Sequence, residues 1–399
     1  MNFHPNKQLR ISVIVTMLSA LMAYQSIGQN TSRLHEEAVV IDTHNDFLSQ
    51  SVEKGYMFDQ SLKGKTHSDL ARMKEGGLDI QIFSVWCDAR PDAFAFANRE
   101  IDSLYSVIKR NPSSMKMIYT PSDLTTTIKQ KKQGAMIGVE GGHMIEDNLA
   151  KLDSLFKRGA RYMTLTWNNS TSWASSAMEE TNGKIPADKR GLTPFGKSVV
   201  KRMNELGMMV DLSHVGEQTF KDAIATTTKP VIVSHSCVWN LNPVFRNLKD
   251  YQIDAVGKNG GVICINFFSG FLDSNFTKRN KTFLETHKTE RDSLMSAGKG
   301  QFFAEDYLFQ KYHQETEDMR APLSLLLDHI DYIVKRIGAD HIGLGSDFDG
   351  INSAPKELNG IEDFPKITAA LKSRGYSDKD IKKILGGNVE RVFRKNQQS

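Results

Sequence analysis

Eight short runs of β-branched and apolar residues, each followed by a longer amphipathic stretch, constrain this chain more than any other feature. They are Val39 to His44, Asp79 to Trp86, Ala135 to Glu140, Tyr162 to Trp167, Met208 to His214, Val231 to His235, Val262 to Phe267 and His341 to Asp347. Strands that alternate with helical stretches are the pattern of repeated βα units around a parallel sheet. Several runs are apolar without a break, as in Val231-Ile232-Val233, which suits strands covered on both faces. Eight such units favour an α/β fold of the closed (β/α)8 TIM-barrel type over an open doubly wound sheet.

The connecting stretches carry helix punctuation. In Thr193 to Gly207, Thr193 can cap, Pro194 takes the first helical position and Gly207 ends the helix, with Phe195, Val199, Val200, Met203 and Leu206 on one face. Pro322 to Gly338 repeats the pattern with Leu323, Leu326, Leu327, Ile330, Ile333, Val334 and Ile337. The rhythm breaks at about residues 270–320, a polar insertion after the seventh strand that ends in the aromatics Phe302, Phe303, Tyr307, Phe309 and Tyr312. Loops after barrel strands face the active site, so the insertion reads as a lid, as a contact in a homodimer, or as a solvated excursion.

Residues 1–28 read as a secretory signal peptide. Lys7 and Arg10 precede an apolar run from Ile11 to Ala23, and the small residues Ser26 and Gly28 follow. The run is shorter than the roughly 20 residues needed to span a bilayer, so a periplasmic or secreted protein without a stable membrane anchor is expected, with residues 29–399 forming the barrel. Fifty-one Lys and Arg against 47 Asp and Glu leave a formal charge of only +4, too little for a nucleic-acid partner. Three widely spaced cysteines, Cys87, Cys237 and Cys264, exclude a thiolate metal site and a disulfide framework.

The apolar runs end in metal-ligand residue types. The first ends in Asp42-Thr43-His44-Asn45-Asp46, the third in Glu140-Gly141-Gly142-His143, the fifth in Asp211-Leu212-Ser213-His214, the sixth in Ser234-His235-Ser236 and the eighth in Asp347-Phe348-Asp349. In a barrel these ends share one rim, and imidazole and carboxylate are the nitrogen and oxygen ligands of divalent transition metals. One strand-end histidine means little, but His44, Asp46, Glu140, His214, His235 and Asp347 together point to a metal site. Of the remaining histidines, His143 follows the third run and is a candidate for contact with substrate, while His4 lies in the signal segment and His35, His67, His287, His313, His329 and His341 fall on helices, loops or a strand start.

The strings VIDTHNDF, IGVEGGH, DLSH, VSHS, FRN, GSDFDG and GGNVERVF occur in this order from Val40 to Phe393. They resemble the membrane (renal) dipeptidase family of the metal-dependent amidohydrolase superfamily, and the likeness spans nearly all of the chain from about Leu34. It implies a barrel with two Zn2+ ions that hydrolyses dipeptides through a metal-bridging hydroxide. By that likeness His44 and Asp46 ligate one metal, His214 and His235 the other, and Glu140 bridges them. Arg246, in Phe245-Arg246-Asn247, matches the arginine that receives the substrate's free C-terminal carboxylate, and Asp347 matches the aspartate that holds the amino group and moves protons. A carboxylate between two cations offsets their repulsion, and water they share loses a proton near neutral pH, so the residue types suit these roles.

One departure stands out. Where the family commonly has Thr-Leu-Thr-His, this chain has Thr164-Leu165-Thr166-Trp167-Asn168-Asn169. An indole can donate one hydrogen bond but cannot carry a positive charge or bind metal. Either Trp167 narrows the substrate pocket, or Asn168, Asn169 or His143 supplies the donor to the scissile carbonyl. Phe268 likewise stands where some relatives have tyrosine. The leading expectation is an exported dipeptidase acting on short peptides with a free carboxylate. The alternatives are a metal-dependent hydrolase of a β-lactam, a lactone or an N-acyl amino acid, and a non-catalytic binding protein on the same fold.

Overall fold

The computed structural model describes residues 31–398, so the segment read as a signal peptide lies outside the described residues. Nine parallel strands form one sheet: β1 (Ile41–Asn45), β2 (Ile80–Val85), β3 (Met115–Met117), β4 (Gln133–Glu140), β5 (Ala160–Thr164), β6 (Met209–Asp211), β7 (Ile232–Ser236), β8 (Val262–Ile265) and β9 (Ile342–Leu344). Eight of them close on themselves, because β2 pairs with β1 on one edge and with β4 on the other, Ile80 to Val85 lying against Gly134 to Val139. These eight fall within the eight runs read from the sequence, apart from one- or two-residue extensions at strand ends, and the architecture is the (β/α)8 barrel. β3 was not among them. It covers the start of β4 at Gln133–Ala135 before β5 takes the same edge from Ile137, and its Met-Lys-Met is too short to show a strand pattern.

Several strands stop earlier than their apolar runs. β6 ends at Asp211 and β9 at Leu344, and the residues beyond them keep isolated backbone bonds to the neighbouring strands, such as Leu212 N–H to Ile232 O at 2.9 Å and Asp347 N–H to His44 O at 3.0 Å, without a regular ladder. The carboxylates cause this. Asp211 Oδ1 accepts from the backbone of Ser213 at 3.0 Å, and Asp42 accepts from the backbone and hydroxyl of Ser346 at 2.8 and 2.6 Å. Such side-chain bonds compete with the sheet ladder for the backbone. His214, Asp347 and Asp349 accordingly take positive φ of 63°, 61° and 67°.

Inward-facing Ile41, Ile80, Ile82, Met136, Tyr162, Met209, Ile232, Val262 and Cys264 belong to one buried cluster with Val389, Val392 and Phe393 of the C-terminal helix Asn388–Asn396, which closes the barrel from below. A larger cluster lies between the strands and the surrounding helices. The helix expected after Thr193 spans Pro194–Leu206, with Thr193 accepting from Gly196 and Gly207 at φ 77°. The next spans Leu323–Ile337. At roughly 1.5–3 kcal/mol for each fully buried large apolar side chain, these two layers dominate the stabilising side of folding.

The insertion is mostly helical, with Phe276–Thr286, Lys288–Ser296, Gln301–Lys311 and His313–Glu317 around a small core of Phe276, Phe283, Leu308, Phe309 and Met319. Both of its ends are tied to the loop after β9: Ser269 donates to Ser353 O at 2.7 Å, Ala321 donates to Ser269 Oγ at 3.0 Å, and Arg320 donates to Ala354 O and Pro355 O. No helix among the described residues is long and apolar enough to cross a membrane.

Candidate metal centre and active site

Three imidazoles meet at the rim, and each is oriented by a different neighbour through Nδ1. The hydroxyl of Tyr162 donates its single proton to Thr43 O at 2.9 Å, so at 2.8 Å it accepts from His44 Nδ1. Ser234 Oγ donates to Asp211 Oδ2 at 2.6 Å and therefore accepts from His235 Nδ1 at 2.8 Å. Asn168 Oδ1, an acceptor only, takes the Nδ1 proton of His214 at 3.1 Å. All three rings thus turn Nε2 toward the same space, the arrangement that outer partners impose on metal-ligating histidines. Gly138 makes the first of these possible, because a Cβ there would stand 1.9 Å from the Tyr162 ring.

Glu140, at the end of β4, spans the group. Its Oε2 lies 3.4 Å from His44 Nε2, and its Oε1 lies 2.9 Å from His214 Nε2 and 3.3 Å from His235 Nε2. Asp46 Oδ2 is 3.6 Å from His44 Nε2. His44, Glu140 and His235 each bring one ligand atom within 4.8 Å of the others, and so do His44, Asp46 and Asp347. The structure therefore brings together all six rim residues named from the sequence, with Gly350 packed so closely that a Cβ would stand 2.0 Å from Asp46 Oδ2.

The donor chemistry fits divalent cations. His214 Nε2 and His235 Nε2 are 3.0 Å apart with their protons committed to Nδ1, so two lone pairs face each other and a carboxylate oxygen. His44 Nε2 and Asp46 Oδ1 are buried without a hydrogen-bond partner. Burial, then the charge of Arg246, pulls His214 down to about 4, and burial with the neighbouring His44 holds His235 well below its ordinary value. Burial opposes a charge on His44 too, but Tyr162, Glu140 and Asp46 outweigh it and raise His44 well above the usual imidazole range. Glu140 resists its own burial and is held well below the usual carboxylate range by the three histidines. The cluster is thus organised to attract positive charge.

Arg246 is 4 % exposed, and no carboxylate among the described residues pairs with it. It donates to Ser236 Oγ at 3.3 Å and to His235 O at 3.1 Å, and its guanidinium lies 5.2 Å from the Phe271 ring centre. A buried cation held only by neutral groups is prepared for an anion. With His214 it lines a cavity of about 290 Å³ whose mouth carries Trp239 and Phe245. Asp347 is raised well above the usual carboxylate range, by burial first and then by the charge of Asp46.

Trp167 packs edge-on against Trp86 with ring centres 5.0 Å apart and lies 6.4 Å from the His214 ring. His143 Nε2 donates to Cys87 O at 3.0 Å, which leaves its buried Nδ1 as a bare acceptor, and burial keeps the ring neutral by lowering its pKa. His143 is therefore not the donor that the sequence offered as one option. Asn168 uses its oxygen on His214 and keeps its amide protons. Sequence reasoning missed Tyr162 and Asn266. A tyrosine opening the fourth run, which also holds the hydroxyls of Thr164 and Thr166, and an asparagine next to last in the seventh run were their only signals.

A model of the membrane dipeptidase family, peptidase family M19, matches residues 28–399. An uncharacterized dipeptidase of Schizosaccharomyces pombe is 29% identical over 391 residues, covering 92% of this chain and 83% of that protein. Among solved structures, the probable dipeptidase PvdM from Pseudomonas aeruginosa superposes with a TM-score of 0.74 at 22% identity, covering 94% of this chain and 99% of that one. A metallo peptidase from Rhodobacter sphaeroides, liganded with a phosphinate mimic of the dipeptide L-Ala-D-Ala, superposes with a TM-score of 0.72 at 22% identity, covering 90% and 100%. With the family model matched from end to end of the barrel, this chain belongs to the membrane dipeptidase family and is an enzyme of that metal-dependent dipeptidase class.

Proposed function

We propose that this chain is an exported dipeptidase that hydrolyses the amide bond of unblocked dipeptides with two zinc ions, one held by His44 and Asp46, the other by His214 and His235, with Glu140 shared. The observation that carries this reading is the pairing of a converging set of imidazole and carboxylate ligand atoms with a buried guanidinium, Arg246, that no carboxylate among the described residues pairs with. When bound there, two divalent cations would supply Lewis acidity and make water a nucleophile near neutral pH.

The protein groups account for the rest. Arg246 offers two parallel N–H bonds to the substrate's terminal carboxylate, which sets the distance from that end to the scissile bond. Asp347 receives the free amino group and, with its pKa raised by burial, carries a proton to the leaving amine. Asn168 Nδ2 can donate to the scissile carbonyl oxygen in place of the family histidine, while Trp167 and Trp86 narrow the pocket beside it. Export rests on the basic and apolar pattern of residues 1–28.

The test is a panel of dipeptides with the zinc-loaded full chain, each compared with its N-acetylated and C-amidated forms. Hydrolysis of the free forms, about 10- to 100-fold faster than of either blocked form, is expected from loss of one charge-assisted contact at the blocked end. Equal turnover of blocked and free forms, or none of any, would overturn the reading.

A further inference from the structure

Asn266 is the first residue beyond β8 and is completely buried. Two hydrogen bonds leave its amide no freedom to flip. Oδ1 accepts from the backbone N–H of Phe268 at 2.6 Å, so Nδ2 must face the other way, where it donates to Asp347 Oδ2 at 2.8 Å. Its backbone is tied as well, with Asn266 N donating to Ser236 O at 3.4 Å and Cys237 Sγ to Asn266 O at 3.3 Å.

Asp347 needs such a partner. Its backbone sits at φ 61°, anchored through its N–H to His44 O at 3.0 Å, and among the described residues no other side chain donates a hydrogen bond to its carboxylate. We propose that Asn266 is the positioning residue of Asp347: it pins Oδ2 and thereby presents Oδ1 to the amino group of the substrate. The same amide fixes the turn from which the insertion starts. Phe268 packs against Phe271 and Phe276 with ring centres 5.0 and 5.3 Å away, and Ser269 next to it joins both ends of the insertion to the loop after β9. One buried side chain therefore sets both the root of the insertion and the aspect of the amino-group acceptor. This inference rests on the role proposed for Asp347.

Two variants separate the two bonds. In Asn266→Ser the hydroxyl can still accept from the N–H two residues on, but it is too short to reach Asp347, whereas Asn266→Ala loses both contacts. The zinc-loaded full chain is titrated by calorimetry with a non-hydrolysable phosphinate dipeptide analogue and with its N-acetylated and C-amidated forms, and zinc content and proteolysis of the insertion are followed in parallel. Asn266→Ser should lose about tenfold or more of the preference for a free amino group and keep the preference for a free carboxylate. Its zinc content and insertion cleavage should match the parent, while Asn266→Ala should also be cut faster in the insertion. An unchanged amino-group preference in Asn266→Ser overturns the inference, and so does loss of both preferences together with zinc, which would make Asn266 merely structural. A parent protein without any amino-group preference would instead overturn the role given to Asp347.

Discussion

The hydroxyl of Tyr162 holds the tautomer of His44, and Tyr162→Phe removes that single oxygen from a fully buried site. The ring still fills the space that Gly138 leaves for it, so packing is preserved. What is lost is the acceptor for His44 Nδ1–H at 2.8 Å and the donor to Thr43 O at 2.9 Å. Each buried group left without a partner costs about 1–3 kcal/mol, so the variant should be less stable by roughly 2–4 kcal/mol, with partial relaxation included. Removing the outer partner of a metal-ligating histidine typically weakens metal binding about 10- to 100-fold, equivalent to about 1.4–2.8 kcal/mol. The assays are urea unfolding of the metal-free protein and competition for zinc against a chelator of known affinity. Expected is a lower unfolding midpoint with an unchanged slope, together with zinc release at lower chelator concentration. Zinc affinity equal to that of the parent would refute the argument that Tyr162 sets the proton on His44.

Arg246→Met keeps most of the side-chain volume and removes the charge, so KM for unblocked dipeptides should rise about 10- to 100-fold while weak activity on C-amidated peptides stays unchanged; an equal effect on both would refute carboxylate binding by Arg246. His329 accepts from Val238 N–H and donates to Leu272 O, and burial lowers its pKa from 6.5 to about 4. The unfolded chain takes up this proton below about pH 6.5 and the folded chain does not, so stability is full above 6.5 and falls by up to about 3 kcal/mol toward pH 4. Urea unfolding at pH 7 and 4.5 should show a smaller loss in His329→Gln than in the parent. Gly350→Ala, whose Cβ would stand 2.0 Å from Asp46 Oδ2, should lower zinc content with far-ultraviolet circular dichroism unchanged. Trp167→His should change the ranking of dipeptides by side chain, because the indole packs edge-on against Trp86 beside the His214 ring; an unchanged ranking means that Trp167 does not line the substrate pocket.

The barrel was legible because its strands are buried on both faces and show as unbroken apolar runs, as in Val231-Ile232-Val233, and because the polar residues that close those runs must share one rim. Met115–Met117 was not legible, since three residues with a central lysine carry no period. The residues proposed to hold metal were readable as residue types at strand ends. Their orientation was not, for it depends on partners far away in sequence: Tyr162 lies 118 residues from His44, and Asn168 lies 46 from His214. The pairing of Asn266 with Asp347 spans 81 residues and joins two strand ends that become neighbours only when β8 and β9 pair. His143 shows the converse: its position in Glu140-Gly141-Gly142-His143 suggested a substrate donor, and only the bond to Cys87 O reveals that its proton is already used.

The central claim is a binuclear zinc site that shares Glu140. Crystals of the zinc-loaded chain, measured on either side of the zinc absorption edge, test it most directly. Two anomalous peaks are predicted, one beside His44 and Asp46 and one beside His214 and His235, with the carboxylate of Glu140 between them. A single peak in catalytically active crystals, or two peaks that leave Glu140 on one side, would contradict the account.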